Sequence, residues 1–168
     1  VLPTAPADAG PLTVTRLRFD GSRWFSAFEQ ARDRTAAEAL RGLGVGRGDV
    51  VGLILPNCPQ HVVLAYAAWR IGAIVAEHNP LAPAAQIREQ IELHHGRVII
   101  AWEKSLTRLV QAAGSLADAG MAGRKVLAVD LSRGLPWTTR LALKLPVAAA
   151  RSQRSELRGR VPAGVASF

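Results

Sequence analysis

The sequence predicts an α/β protein whose alternating strands and helices form part of a mainly parallel sheet, and three observations carry that expectation. Short apolar runs bounded by turn residues, of which residues 49–55 (DVVGLIL) are the clearest, read as strands buried on both faces. Segments with apolar residues at helical spacing lie between these runs. Strand and helix then alternate at intervals that suit parallel pairing through right-handed crossovers.

Residues 1–12 are rich in Pro and Ala without periodicity and read as a loose tail. Residues 17–20, followed by Gly21 and Ser22, look like a short strand and turn. Residues 26–43 set Phe28, Ala31, Thr35, Ala39 and Leu43 at helical spacing, and Gly44 ends that helix. Pro56 and Pro59 close the strand at 49–55. A helix over 61–71, a strand over 73–76 and a helix over 84–95 opened by Pro83 follow. A strand over 97–102, a helix over 106–119 and a strand over 125–131 complete a partial α/β region bounded at 13–132. Residues 133–168 form a basic helical segment and tail.

A hydrophobic fraction of 49% with 20% charged residues suits one globular core. The net charge is +8, but it is not spread evenly. Between residues 133 and 160 stand Arg133, Arg140, Lys144, Arg151, Arg154, Arg158 and Arg160 with Glu156 as the single acid, so this stretch carries +6 and the rest +2. Basic character so local argues against a face that tracks a phosphate backbone, and nucleic acid is not an expected partner. Cys58 stands alone, so no internal disulfide forms. With no zinc-like spacing either, a reducing cytoplasmic compartment is expected. No apolar run reaches the roughly 18 residues that span a bilayer. The start lacks the basic and apolar regions of a signal peptide, and it opens on Val1 rather than Met, as a processed, truncated or misassigned start would.

Gly44, Gly46 and Gly48 allow positive φ in a tight helix-to-strand turn, and Asp49 is placed to cap it. Read in order, Gly44, Val45, Gly48, Asp49 and Val51, then Leu55, Pro56 and Asn57, then Ala67, Ala68, Gly72 and Ala73, then Asn79 and Pro80 resemble the opening module of the adenylate-forming (AMP-binding) acyl-CoA synthetases. The resemblance covers roughly residues 19–131. It departs at the near end, where members carry Tyr or Phe, a two-residue gap and Leu, and this chain has Trp24, Phe25, Phe28 and Glu29.

The resemblance implies an ATP-dependent acid–CoA ligase, expected to act on fatty acids, that activates a carboxylate as an acyl-adenylate and transfers it to CoA. ATP, Mg and CoA are thereby implied for the parent enzyme. The family's Ser/Thr/Gly-rich loop ending in Lys, its adenine-binding motif, its ribose-binding Asp and the catalytic Lys of its small C-terminal domain do not occur in these 168 residues. The resemblance therefore implies no catalytic, cofactor-binding or metal residue here. The chain reads as an N-terminal portion, inactive alone, whose partner is the remainder of the ligase in cis or as a complementary chain. The alternative is a non-catalytic α/β module that binds a membrane surface or a partner chain.

Other motifs read as scaffold. The glycines at 42–48 leave a helix and enter a strand, the reverse of a dinucleotide fingerprint. His94 and His95 are adjacent and point about 100° apart on a helix, so a helix-end role beside Gly96 suits His94 better than a metal. His61 and His78 have no acidic or Cys partner at ligand spacing, and Cys58 reads as a buried, inert thiol. The basic segment is the exception. At about 100° per residue, Arg133, Arg140, Lys144, Arg151, Arg154 and Arg158 share one helical face, with Leu135, Leu141, Leu145, Ala149 and Leu157 opposite. This basic amphipathic pattern predicts an anionic membrane contact through those cations with Leu141 and Leu145, and a membrane-associated location. Pro146 kinks any such helix. The competing reading is an ordinary surface helix whose apolar side packs on the rest of a longer protein.

Overall fold

The structure is a computed structural model that describes residues 27–167, with side chains described from Asp33 onward. The strand expected at 17–20 and the departures at Trp24 and Phe25 lie outside the described residues. Helix α1 (Ala27–Gly42) leads into β1 (Val50–Ile54), α2 (Pro59–Arg70), β2 (Ile74–Glu77), α3 (Ala84–His94), β3 (Val98–Trp102), α4 (Glu103–Ala113) and β4 (Lys125–Val129). Two short helices, α5 (Trp137–Ala142) and α6 (Ala148–Leu157), precede a two-residue strand, β5 (Ala166–Ser167).

The strands form one sheet in the order β2-β1-β3-β4-β5, and every pair is parallel. Successive strand residues point to opposite faces, which explains why the strand sequences are apolar throughout. Val51 and Leu53 of β1, Val98 and Ile100 of β3 and Leu127 and Val129 of β4 pack against α1 and α2. Ile54, Ile99, Ala101 and Ala128 pack on the other face against α3, α4 and Met121. The alanines at 65, 67 and 68 are all buried where α2 packs against α1.

The helix-to-strand turn is built as its residues dictate. Gly44 and Gly48 take φ of +80° and +83°, a region that excludes most side chains. Asp49 Oδ2 accepts the Gly46 N–H at 2.8 Å. Pro59 stands in the first turn of α2, where its missing N–H costs nothing.

Three expectations change. Thr35 and Ala39 of α1 face solvent, and the buried face runs through Asp33, Ala36, Ala37 and Leu40, one position round the helix. The helix expected at 106–119 begins at Glu103 and stops at Ala113, because Gly114 at φ +91° ends it before a separate turn at Ala117–Met121. The basic segment is not one amphipathic helix, since the chain breaks around Pro146 into α5 and α6. Among the described residues no helix is long and apolar enough to cross a membrane.

Candidate functional site

In an open parallel sheet, ligands gather at the carboxyl ends of the strands, above all where neighbouring strands send their connections to opposite faces. Here β1 continues into α2 on one face and β3 into α4 on the other, so that point lies between β1 and β3. Two clefts open along this edge.

The first has a volume of about 500 Å³ and lies over the ends of β1 and β2, with Asn57, His61, Glu77, His78 and Asn79 on its wall. Its floor carries a chain of hydrogen bonds whose direction follows from its ends. The Gly96 N–H donates to His94 Nδ1 at 2.8 Å, so the His94 proton sits on Nε2 and faces His78 Nε2 at 3.0 Å. His78 then holds its proton on Nδ1 and donates to Gln90 Oε1 at 3.0 Å. Both rings are neutral in this arrangement. Burial, reinforced by His78 and by the Arg124 charge, holds His94 down to about 4. Its expected helix-end role is therefore met as a neutral acceptor, not as a cation on the dipole. Gly52 makes the room, for a Cβ there would stand 2.7 Å from Ile99 Cδ1 and 3.5 Å from His78 Nε2.

His61 has an acidic partner after all. Its Nε2 lies 3.0 Å from Glu77 Oε1, supplied by β2, 16 residues away. Helix-and-strand adjacency, not local spacing, brings the two together. Cys58 caps the start of α2, yet burial pushes its thiol up, in keeping with an inert role.

The second cleft lies over the ends of β3 and β4, and the predicted basic residues meet there. Arg133, Arg140, Lys144, Arg154 and Arg158 line about 190 Å³ together with Asp130, while Arg151 lies outside. Leu141 and Leu145 are exposed, and Leu143 and Ala150 carry the segment's burial instead. Two of the cations are tied inward. Arg154 Nη1 donates to the Leu143 carbonyl at 2.7 Å, and Arg158 pairs with Asp130 at 3.3 Å and Glu103 at 3.5 Å. Glu103 and Asp130 were not singled out in the sequence. Both follow the last residue of a buried strand directly, and that position is the signal that would have found them.

The chain then crosses the N-terminus of α4. Trp102 Nε1 donates to the Leu157 carbonyl at 2.7 Å, the Gly159 N–H reaches Glu103 Oε2 at 3.3 Å, and Thr107 Oγ1 donates to the Arg160 carbonyl at 3.0 Å.

Comparison with known proteins decides what this architecture belongs to. The family model described as AMP-binding enzyme matches residues 15–155. The chain belongs to the AMP-binding enzyme family. It is 36% identical over 80 residues to 4-coumarate–CoA ligase 3 of Oryza sativa subsp. japonica, a match covering 48% of this chain and 14% of that protein. Among solved structures, it superposes on a fatty acyl CoA synthetase of Mycobacterium tuberculosis with a TM-score of 0.55 at 23% identity, covering 69% of this chain and 22% of that one. A candidate long-chain-fatty-acid CoA ligase of Rhodopseudomonas palustris CGA009 gives a TM-score of 0.52 at 29% identity, with coverage of 60% and 24%.

The fold is that of the N-terminal subdomain of adenylate-forming enzymes. The chain spans 14–18% of the length of the curated relatives it matches. The family uses ATP, with Mg and CoA. Against those groups this chain offers a poor fit. The described residues contain no cluster of three or more His, Cys, Asp or Glu that would hold a metal ion, and the sequence has no Ser/Thr/Gly-rich loop ending in Lys. No catalytic step is assigned to its residues.

Proposed function

We propose that this AMP-binding family chain supplies the N-terminal part of an ATP-dependent acid–CoA ligase, with a fatty acid as the activated carboxylate. The family match over residues 15–155 carries the reading. The fatty-acid class draws support from the 29% identity to the candidate long-chain ligase. In this reading the chain holds scaffold, not chemistry, and its partner is the rest of the ligase.

A specific observation favours an aromatic acid as the second reading, namely the 36% identity to a 4-coumarate–CoA ligase. The non-catalytic alternative, docking on an anionic surface, draws on Leu141 and Leu145, which are exposed beside basic residues.

ATP–pyrophosphate exchange tests these readings. The chain alone is expected to give no exchange with any acid, because it lacks groups to stabilise a transferring phosphoryl group. Co-expression with a C-terminal ligase portion is expected to restore exchange, and a panel of fatty and hydroxycinnamic acids then reads the substrate class. Exchange by the chain alone above a heat-killed control would overturn the divided-enzyme reading. Failure of every complementing portion would favour the non-catalytic one.

A further inference from the structure

The charges of the basic segment converge instead of spreading along a face. Five cationic side chains and one carboxylate, Asp130, line the cleft at the ends of β3 and β4. We propose that this cleft binds a phosphate group, carried by a phosphomonoester or a pyrophosphate.

Charge balance argues first. Asp130 is already committed, its Oδ1 accepting from the Ser132 N–H at 2.9 Å and the Ser132 hydroxyl at 2.6 Å, and its other oxygen facing Arg158. Glu156, the remaining acid of the segment, pairs with Lys104 at 2.6 Å and does not line the cleft. The cations therefore face one another with too little counter-charge, which costs stability until an anion enters.

Donor geometry argues second. The Leu143 carbonyl fixes Arg154 through Nη1, leaving Nε and Nη2 free to form a fork, and two carboxylates hold Arg158 in place. Arg140 and Lys144 stand one helical turn apart on the facing wall. Fixed guanidinium forks match phosphate oxygens bidentately, and a phosphate near two negative charges offsets more of this field than a carboxylate does. The volume of about 190 Å³ equals roughly six waters at about 30 Å³ each, which suits one tetrahedral head group.

Position argues third, because the carboxyl edge of a parallel sheet is where such folds bind ligands. The inference does not rest on the ligase reading, and its test omits carboxylic acid, ATP and CoA.

The 168-residue chain is titrated calorimetrically with pyrophosphate, and with phosphatidylcholine vesicles containing phosphatidate or phosphatidylglycerol. Wild type and Arg151→Gln are expected to bind pyrophosphate saturably, more weakly as salt rises, and Arg140→Gln with Lys144→Gln to bind at least tenfold more weakly. If phosphatidate vesicles also bind, if pyrophosphate displaces them and if the double substitution abolishes the effect, the phosphate comes from a lipid headgroup. Pyrophosphate binding without vesicle binding assigns a soluble phosphate. On the wild-type chain, pyrophosphate should slow hydrogen exchange across residues 131–158, a readout that needs no variant. Equal pyrophosphate affinity in the double variant and wild type overturns the proposal. So does wild type that binds neither probe saturably, or that binds both vesicle types equally without competition by pyrophosphate.

Discussion

Residues 51–54 and 98–101 are all buried, whereas between residues 131 and 167 only Leu143 and Ala150 are. The first region is held by apolar burial on both faces of the sheet. The second is held by polar ties to residues 50 or more positions away, among them Arg158 to Glu103, Glu156 to Lys104 and the Leu157 carbonyl to Trp102. Burial is non-directional and scales with area, so it fixes a region firmly. Partly exposed ion pairs and single hydrogen bonds each contribute little, and the segment they hold is expected to open first.

The largest expected effect tests the first half of that contrast. Ile100 is completely buried at the centre of the sheet, and Ile100→Ala should cost about 2–5 kcal/mol in urea unfolding. Leu141 is 58% exposed, and Leu141→Ala should stay within about 0.5 kcal/mol. Comparable losses at the two sites would mean that the segment shares the core.

Gly159 offers a way to separate the regions. A Cβ there would stand 2.5 Å from the Glu103 carbonyl carbon and 2.6 Å from the Lys104 nitrogen. Gly159→Ala should cost about 1–3 kcal/mol of docking, speeding hydrogen exchange in α6 while leaving β3 protected. Loss of protection in β3 as well would show the two to be one cooperative unit.

The histidine pair tests how the sheet region responds to acid. The folded state holds His94 at about 4, below the usual value near 6.5, so the unfolded chain binds more protons between those values. Stability contributed by the neutral pair is fully present above about pH 6.5 and is lost as pH falls towards about 4. Urea midpoints should drop across that window, and His94→Gln should flatten the drop. A slope unchanged in His94→Gln would place the acid sensitivity elsewhere.

Much of this fold is legible in the sequence, because patterning and turn chemistry are local. The strands at β1, β3 and β4 and the Gly44 to Asp49 turn follow from residues within a few positions of one another. The face of α1 was misplaced because Ala and Thr at helical spacing mark a buried face poorly, and the true face includes Asp33, which pairs with Arg70 of α2 at 3.3 Å. Gly114 was absorbed into a longer helix, although it divides α4 from the turn that carries Met121. The candidate sites were less legible still. His61 with Glu77, His78 with His94 and Arg158 with Glu103 become neighbours only once the sheet order is set. The basic residues were found, but helical periodicity spread them along one face, and the break around Pro146 folds them round a cleft.

The smallest expected effect sharpens the account of the basic segment. Lys104 and Glu156 lie 2.6 Å apart, and the carboxylate side chain is 74% exposed. Such a pair is solvated and screened, so a double-mutant cycle of Lys104→Met and Glu156→Gln should give a coupling of about 0.2–1 kcal/mol. Raising the salt should shrink it, because screening shortens the reach of each charge to about 3 Å at 1 M. Lys104 Nζ also stands 5.8 Å from the centre of the Trp102 ring, whose N–H holds the Leu157 carbonyl. Lys104→Met keeps an apolar stem against that ring while removing the charge. If the coupling is small and salt-sensitive while exchange in α6 scarcely changes, the Trp102 hydrogen bond and the Glu103–Arg158 pair carry the docking. A coupling above about 2 kcal/mol that survives 1 M salt would show instead that the pair is desolvated, and that α6 is held by a buried ionic contact.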